Sequence, residues 1–235
     1  MVASRPVRPG PDPQAVKAMF SRVAARYDLL NRLLSLGQDQ RWRKHLRRAV
    51  AQAPPGPVLD LACGTGDVAL GFAARKAVGA DFCLDMLVLA KKKQAPGHHP
   101  LWVAADVQAL PFRSQVFSAV TVAFGWRNFP DPGAAFFAVH RVLKARGLLA
   151  ILEFHPVEGR VFRGLHSTWQ RLVIQPVGSW LSGDGEAYRY LPASSRSFLT
   201  ADELAGLAQQ AGFSLLARRY LGLRVACLSV FQKGG

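Results

Sequence analysis

Three acids and one glycine turn concentrate the chemistry of this chain: Asp60, Asp81, Asp106 and Gly64-Thr65-Gly66. An apolar run (Val58, Leu59, Leu61) carries Asp60 near its end, and the glycines then open a helical pattern. Glycines at a strand-to-helix turn let the backbone approach a ligand closely, because no Cβ stands in the way. Gly64-x-Gly66-x-x-Ala69 also satisfies the loose dinucleotide fingerprint, so the turn alone fits two cofactors. Asp60 separates them. A carboxylate beside the turn suits a ligand with positive charge better than a pyrophosphate, and S-adenosylmethionine carries an ammonium and a sulfonium. Asp81, 15 residues after Gly66, ends the next apolar run, where an acid can accept from ribose hydroxyls. Asp106 ends the third, placed to accept from an adenine amino group, with the Val107 amide beside it. A single acid after a strand is most often a helix cap or turn residue. Three at successive strand ends, with the glycine turn, favour S-adenosylmethionine. A pyridine dinucleotide would leave Asp60 and Asp106 idle.

The elements that must position these residues follow from the hydrophobic pattern. Short apolar runs alternate with helical periodicity, the signal of βαβ units and a parallel sheet. Strands are expected at Val58–Ala62, Ala77–Asp81, Leu101–Ala105, Val116–Phe124 and Gly147–Phe154, with helices at Val68–Arg75, Leu84–Lys93 and Pro132–Lys144. Thr200-Ala-Asp-Glu203 is a capping box opening a helix to about Ala211. Two apolar runs, Phe213–Tyr220 and Val225–Phe231, close the chain. The expected fold is therefore α/β, a seven-stranded, mostly parallel Rossmann-like sheet with helices on both faces. The organisation reads as a Pro- and Arg-rich flexible arm over 1–13, a helical cap over 14–53 and the main domain over 54–235. The cap holds helices from Gln14 to Tyr27, Leu29 to Leu36 and Asp39 to Ala51. An insertion over about 156–198, with Trp169, Trp180, Tyr188 and Tyr190, reads as part of a lid or substrate wall.

Composition narrows the class. At 235 residues and 50% hydrophobic, the chain can build one sizeable core, which excludes wholesale disorder. No apolar run reaches the roughly 18–20 residues of a membrane span, and the N-terminus has no apolar signal core. Cys63, Cys83 and Cys227 are odd in number and widely spaced, which argues against a disulfide framework or zinc site and fits a reducing cytoplasm. No metal is expected. The net charge of +15 is high for an enzyme of small molecules, and residues 1–52 hold 11 Lys and Arg against 3 Asp. Such a field favours a polyanionic surface, nucleic acid or anionic lipid.

Longer segments carry a resemblance over nearly the whole chain. They are Met19-Phe-Ser-Arg-Val-Ala-Ala-Arg-Tyr-Asp28 with Leu30-Asn31, Leu59-Asp-Leu-Ala-Cys-Gly-Thr-Gly-Asp67, Ala109-Leu-Pro-Phe112 and Ala123-Phe-Gly-Trp-Arg-Asn-Phe129. Further on stand Arg141-Val-Leu-Lys144, Leu152-Glu-Phe154 and Tyr188-Arg-Tyr-Leu-Pro192. Together these resemble the ubiquinone/menaquinone biosynthesis C-methyltransferases, class I S-adenosylmethionine-dependent enzymes that methylate a ring carbon of a prenylated quinol. The resemblance implies Thr65, Asp81, Asp106 and Val107 as cofactor contacts, beside Asp60, Gly64 and Gly66, and Tyr27, Asp28, Asn31, Arg127 and Asn128 facing the quinol. Three departures stand out: Cys63 where glycine is common, Ala123 in place of a serine, and no histidine in Val225-Ala-Cys-Leu228.

The implied chemistry accounts for these residue types. A ring carbon is a poor nucleophile until an ortho oxygen pushes electron density into it, so the acceptor must be the reduced quinol. Arg127 is expected to stabilise the developing phenolate, with Asp28 or Tyr27, directly or through water, handling the proton. The prenyl tail keeps the acceptor in a bilayer. The expected location is thus cytoplasmic and peripheral, with the basic helix Asp39–Ala51 and its Trp42 docking on anionic lipid at the inner face of the membrane. A homodimer is a further expected option. Nucleic acid is not expected as a partner, because Phe124-Gly-Trp-Arg-Asn128 supplies neither a target-base tetrad nor a catalytic cysteine. The resemblance and an Arg-rich, Asn-poor composition favour demethylmenaquinol as acceptor, giving menaquinol; the ubiquinone precursor, an RNA methyltransferase and a non-catalytic cofactor-binding partner are the alternatives.

Overall fold

Asp12 starts the first helix, its carboxylate accepting from the Gln14 and Ala15 amides while Pro13 takes the first helical position. The computed structural model describes residues 10–97, 100–156, 194–195, 197–222 and 224–234. Most of the expected arm and of the 156–198 insertion, including Trp169, Trp180, Tyr188 and Tyr190, lies outside them. Gly10 is already tied down, its amide donating to the Pro130 carbonyl at 2.7 Å.

Helix α1 spans Pro13–Val23 and buries Val16, Met19 and Val23. It stops short of the expected Tyr27. A 3₁₀ turn over Ala24–Arg26 redirects the chain into α2, Tyr27–Leu34, so that Leu30 packs on Met19 and Val23 while Tyr27 turns toward Met86. Helix α3 spans Gln38–Ala49.

The sheet follows: β1 Val58–Leu61, β2 Ala77–Asp81, β3 Leu101–Ala104, β4 Phe117–Ala123, β5 Leu143–Phe154, β6 Phe213–Leu221 and β7 Ala226–Lys233. Helix α4, Leu84–Lys93, joins β2 to β3; α5, Pro132–Val142, precedes β5; and α6, Ala201–Gln210, precedes β6 behind its capping box on Thr200 and Glu203. Strand order is β3-β2-β1-β4-β5-β7-β6, with β7 antiparallel to both neighbours and the remaining pairs parallel. The sheet is thus the mostly parallel, seven-stranded one expected. Alternation along β4 and β5 splits the core in two. Val120, Val122, Leu149 and Ile151 join α5 and α6 on one face, while Ala119, Leu148, Ala150 and Leu152 join Trp42, Leu46 and Val50 of α3 on the other.

One expected element is absent: the helix over Val68–Arg75 shrinks to a 3₁₀ turn at Ala69–Gly71. Two arginines explain it. The Arg47 guanidinium lies 2.5 Å from where a Cβ on Gly71 would stand, and Arg75 turns back to the carbonyls of Val50, Pro54 and Gly56. These bonds draw the chain toward the end of α3 instead of letting the helix continue.

Candidate functional site

Strand β1 leads to β2 and β3 on one side, and the chain then crosses to β4 on the other. The β1/β4 boundary is therefore the switch point at which open α/β sheets hold ligands. A cavity opens there, beyond the carboxyl ends of β1 to β4. Both strands at the boundary end on a strained residue, Ala62 (φ +53°) and Phe124 (φ +61°), and both residues line the cavity. Non-glycine residues rarely adopt this region, at a cost of about 1–3 kcal/mol each, and they cluster at functional sites. The two ends also touch: a Cβ on Gly125 would stand 2.5 Å from the Ala62 Cβ, so only glycine fits there.

Taken in strand order, the wall passes from polar to aromatic. Asp106 and Val107 stand at the β3 end, Asp81 at β2, Gly64 at β1, and Phe124 at β4. Asp81 is buried; its Oδ2 accepts from the Gly64 amide at 2.8 Å and its Oδ1 from the Cys83 amide at 2.9 Å. Burial pushes its pKa up, against the pull of those amides. Each oxygen keeps a lone pair, so the carboxylate can accept from a vicinal diol while bracing the glycine turn. Asp106 accepts from the Gln108 amide through Oδ1 and caps the short turn Val107–Ala109. It is at once a cap and part of the wall. Tyr27 and Phe20 line the cavity from the cap, and Asn128 and Phe129 from the turn after β4.

Other expected contacts sit elsewhere. Asp60 does not present its carboxylate to a ligand. It is 1% exposed beneath the turn, accepting from the Ala69 amide at 3.1 Å and from the Thr121 hydroxyl at 2.9 Å. Burial raises its pKa to about 7, partly offset by the Thr121 bond. Gly66 (φ +83°) faces away from the cavity, where a Cβ would meet the Trp102 ring at 2.5 Å. Thr65 and Asp28 belong to a clamp. The Thr65 hydroxyl donates to Asp28 at 2.6 Å, and Lys93 Nζ reaches Asp28 at 2.7 Å, Asp67 at 2.5 Å and Thr65 at 3.0 Å. Asp28 is thus held by a cation rather than poised as a base at the wall. Asn31 is half-buried along α2 and does not line the cavity.

Arg127 is the largest departure. Its Nη1 lies 2.5 Å from Glu153 Oε1 and donates to the Phe124 carbonyl at 2.9 Å, and its amide donates to Glu153 Oε2 at 3.2 Å. The side chains of Arg127 and Glu153 are 3% and 0% exposed. The guanidinium pins the strained Phe124 peptide from behind and does not line the cavity. Trp42, expected to help α3 meet lipid, is buried between Phe124, Phe154 and Gly222, and Arg43 is buried beside it.

No sequence pattern sets apart Lys93, which builds the clamp, or Phe82 and Met86, which line the cavity. Lys93 ends a Lys91-Lys92-Lys93 run that reads as ordinary helix-end charge. Cys63 is buried without a base, and burial raises its thiol pKa, so it is not a nucleophile. Among the described residues, no group of three or more His, Cys, Asp or Glu could hold a metal ion.

Residues 10–233 match the model of a family described as the ubiE/COQ5 methyltransferase family. The chain is 43% identical over 202 residues to the demethylmenaquinone methyltransferase of Thermus thermophilus, covering 84% of this chain and 92% of that protein. It is 40% identical over 219 residues to the ubiquinone/menaquinone biosynthesis C-methyltransferase UbiE of Syntrophotalea carbinolica, covering 91% of each. The fold matches magnesium protoporphyrin IX methyltransferase from Synechocystis, solved with bound SAH, at a TM-score of 0.69 and 15% identity, over 95% of this chain and all of that one.

Proposed function

The chain belongs to the ubiE/COQ5 methyltransferase family, and from that premise we propose that it methylates a ring carbon of demethylmenaquinol to give menaquinol, with S-adenosylmethionine as donor. The observation that carries this reading is one cavity joining Asp81 and Asp106 to Tyr27, Phe124 and Asn128. Its acidic side suits a ribose and an adenine. Its aromatic side suits a naphthoquinol ring, and the family relationship selects that acceptor over other flat rings.

The residues fit the donor. Asp81, braced by two amides, would take the ribose hydroxyls, and Asp106 with the Val107 amide the adenine edge. When bound, S-adenosylmethionine supplies an electrophilic methyl group on a sulfonium. The chain's own contribution is placement and electrostatics. Phe20, Phe124 and Phe129 give the ring an apolar wall, and the cavity stays open to solvent on another side. The Tyr27 phenol oxygen accepts the hydrogen bond of the reacting hydroxyl, which raises electron density at the ortho carbon. The Asn128 amide donates to the same oxygen as negative charge develops. Arg127 acts one layer behind as a positioning residue, fixing Phe124 and the Trp126–Asn128 turn through Glu153. The ring proton departs to solvent as aromaticity returns.

A polyprenyl acceptor stays in its bilayer, so the protein works at a membrane surface, in keeping with its charge of +15. Among the described residues, no helix is long and apolar enough to cross a membrane. The direct test is transfer of labelled methyl from S-adenosylmethionine to a short-chain demethylmenaquinol kept reduced. Label is expected in the organic phase with the quinol and not with the quinone. Absence of transfer to the quinol, or transfer to the ubiquinone precursor alone, overturns the assignment.

A further inference from the structure

Helix α2 shows water an apolar face. Leu29, Leu33 and Leu36 are 53%, 42% and 69% exposed; Leu29 and Leu33 stand one turn apart on α2, and Leu36 follows beyond its end. The buried side of α2 is made by Leu30, which packs with Met19 and Val23. Leu36 stands just past the helix. The Gly37 amide donates to the Arg32 carbonyl at 2.7 Å and the Leu36 amide to that of Leu33 at 3.2 Å, a Schellman end. Such an end normally takes glycine at the position Leu36 occupies, because φ there is left-handed, here +51°. A strained backbone thus holds a leucine out in water, which folding alone does not explain.

The charge of this cap has one sign. Residues 10–53 carry nine Lys and Arg against Asp12, Asp28 and Asp39. All three acids are engaged: Asp12 caps α1, Asp28 meets Lys93, and Asp39 lies buried beside Arg43. Arg22, Arg26 and Arg32 are exposed on α1, the turn after it and α2, and Arg41, Lys44 and Arg48 are exposed on α3. Exposed apolar side chains on a cationic cap match the boundary between phospholipid head groups and acyl chains. A second copy of this chain would set like charges against each other around a two-fold axis.

We propose that the Leu29–Leu33–Leu36 face of α2 docks on an anionic phospholipid surface. The face deepens the reading that the acceptor is a prenylated quinol. Tyr27, the first residue of α2, lines the cavity, so docking here sets the cavity beside the lipid that holds the acceptor. Insertion is by α2, and the cations of α3 add longer-range attraction.

The test is co-sedimentation of the full chain with vesicles of phosphatidylcholine alone or with added phosphatidylglycerol. Binding is expected only with phosphatidylglycerol and should weaken as salt rises. Leu33→Ser with Leu36→Ser is expected to weaken partitioning at least tenfold while methyl transfer to a water-soluble short-chain quinol stays unchanged. Leu36→Gly discriminates further: it relieves the backbone and should raise the melting temperature while weakening vesicle binding. Equal binding to both vesicle types, or undiminished binding by the leucine variants, overturns the proposal. So does a concentration-dependent dimer that these variants dissociate while no lipid is bound. Failure of transfer to the soluble quinol would sink the acceptor assignment and leave the vesicle result standing, so the two failures are distinct.

Discussion

Replacing Arg127 with methionine separates a structural pair from a catalytic group. The guanidinium makes a 2.5 Å ion pair to Glu153, a 2.9 Å bond to the Phe124 carbonyl and a 3.3 Å bond to Ser194 Oγ. Removing it leaves the Glu153 carboxylate, 0% exposed, with, among the described residues, the amides of Arg127 at 3.2 Å and Phe154 at 2.8 Å. Breaking a buried pair from one side costs about 3–5 kcal/mol, and the two surviving amides favour the lower end. For a chain of this size, each kcal/mol moves the melting temperature by about 2–4 °C, so a fall of roughly 10 °C is expected by calorimetry. Arg127→Met with Glu153→Leu removes the orphaned charge and should recover much of that loss, a coupling a double-mutant cycle reads directly. Turnover should fall in both variants, because Phe124 and Asn128 lose their support. An Arg127→Met protein of unchanged melting temperature and abolished turnover would refute this account and return the guanidinium to the substrate.

Asp81→Asn cannot accept from both the Gly64 and Cys83 amides, since one carboxylate oxygen becomes a donor. Titration calorimetry with S-adenosylhomocysteine should show binding about 10- to 100-fold weaker. Asp60 keeps its proton to about pH 7 when folded but releases it near pH 4 when unfolded. Over that window the native state binds more protons, so this residue's contribution to stability falls as pH rises, by up to about 4 kcal/mol, and is flat above it. Asp60→Asn can still accept from the Ala69 amide and donate to Thr121; denaturant melts should show it losing that slope and gaining on the parent at pH 8. Lys93→Met leaves Asp28 and Asp67 without their shared cation. Because the lysine is 30% exposed, the cost is about 1–2 kcal/mol, and amide exchange in α2 should speed up more than exchange in β1.

Strand ends were legible where function sits on the backbone pattern itself. Asp81, Asp106, Val107 and Gly64 close successive apolar runs, and the switch point brings such ends together whatever the neighbouring side chains do. Direction of burial was not legible. Asp60 and Asp81 are both acids at strand ends, yet one faces Thr121 beneath the turn and the other faces the cavity. That choice is set by the pleat and by which long-range partner stands opposite. Arg127 and Thr65 show the same limit: Glu153 and Lys93, 26 and 28 residues away, bond them. Where a helix over Val68–Arg75 is expected, Arg47 of a different element packs on Gly71, and Arg75 bonds carbonyls just past α3.

The strand order has a consequence for synthesis of the chain. β7 follows β6 in sequence but lies between β5 and β6. While the protein is being made, every cavity-lining residue, from Pro13 to Pro130, emerges before β7 does. The nascent sheet must therefore wait with the 12-residue β5, Glu153 among its residues, as an open and largely apolar edge. An exposed hydrophobic edge invites pairing with other chains. The interval between translation of Phe154 and of Ala226 is thus when this protein most needs protection from its neighbours.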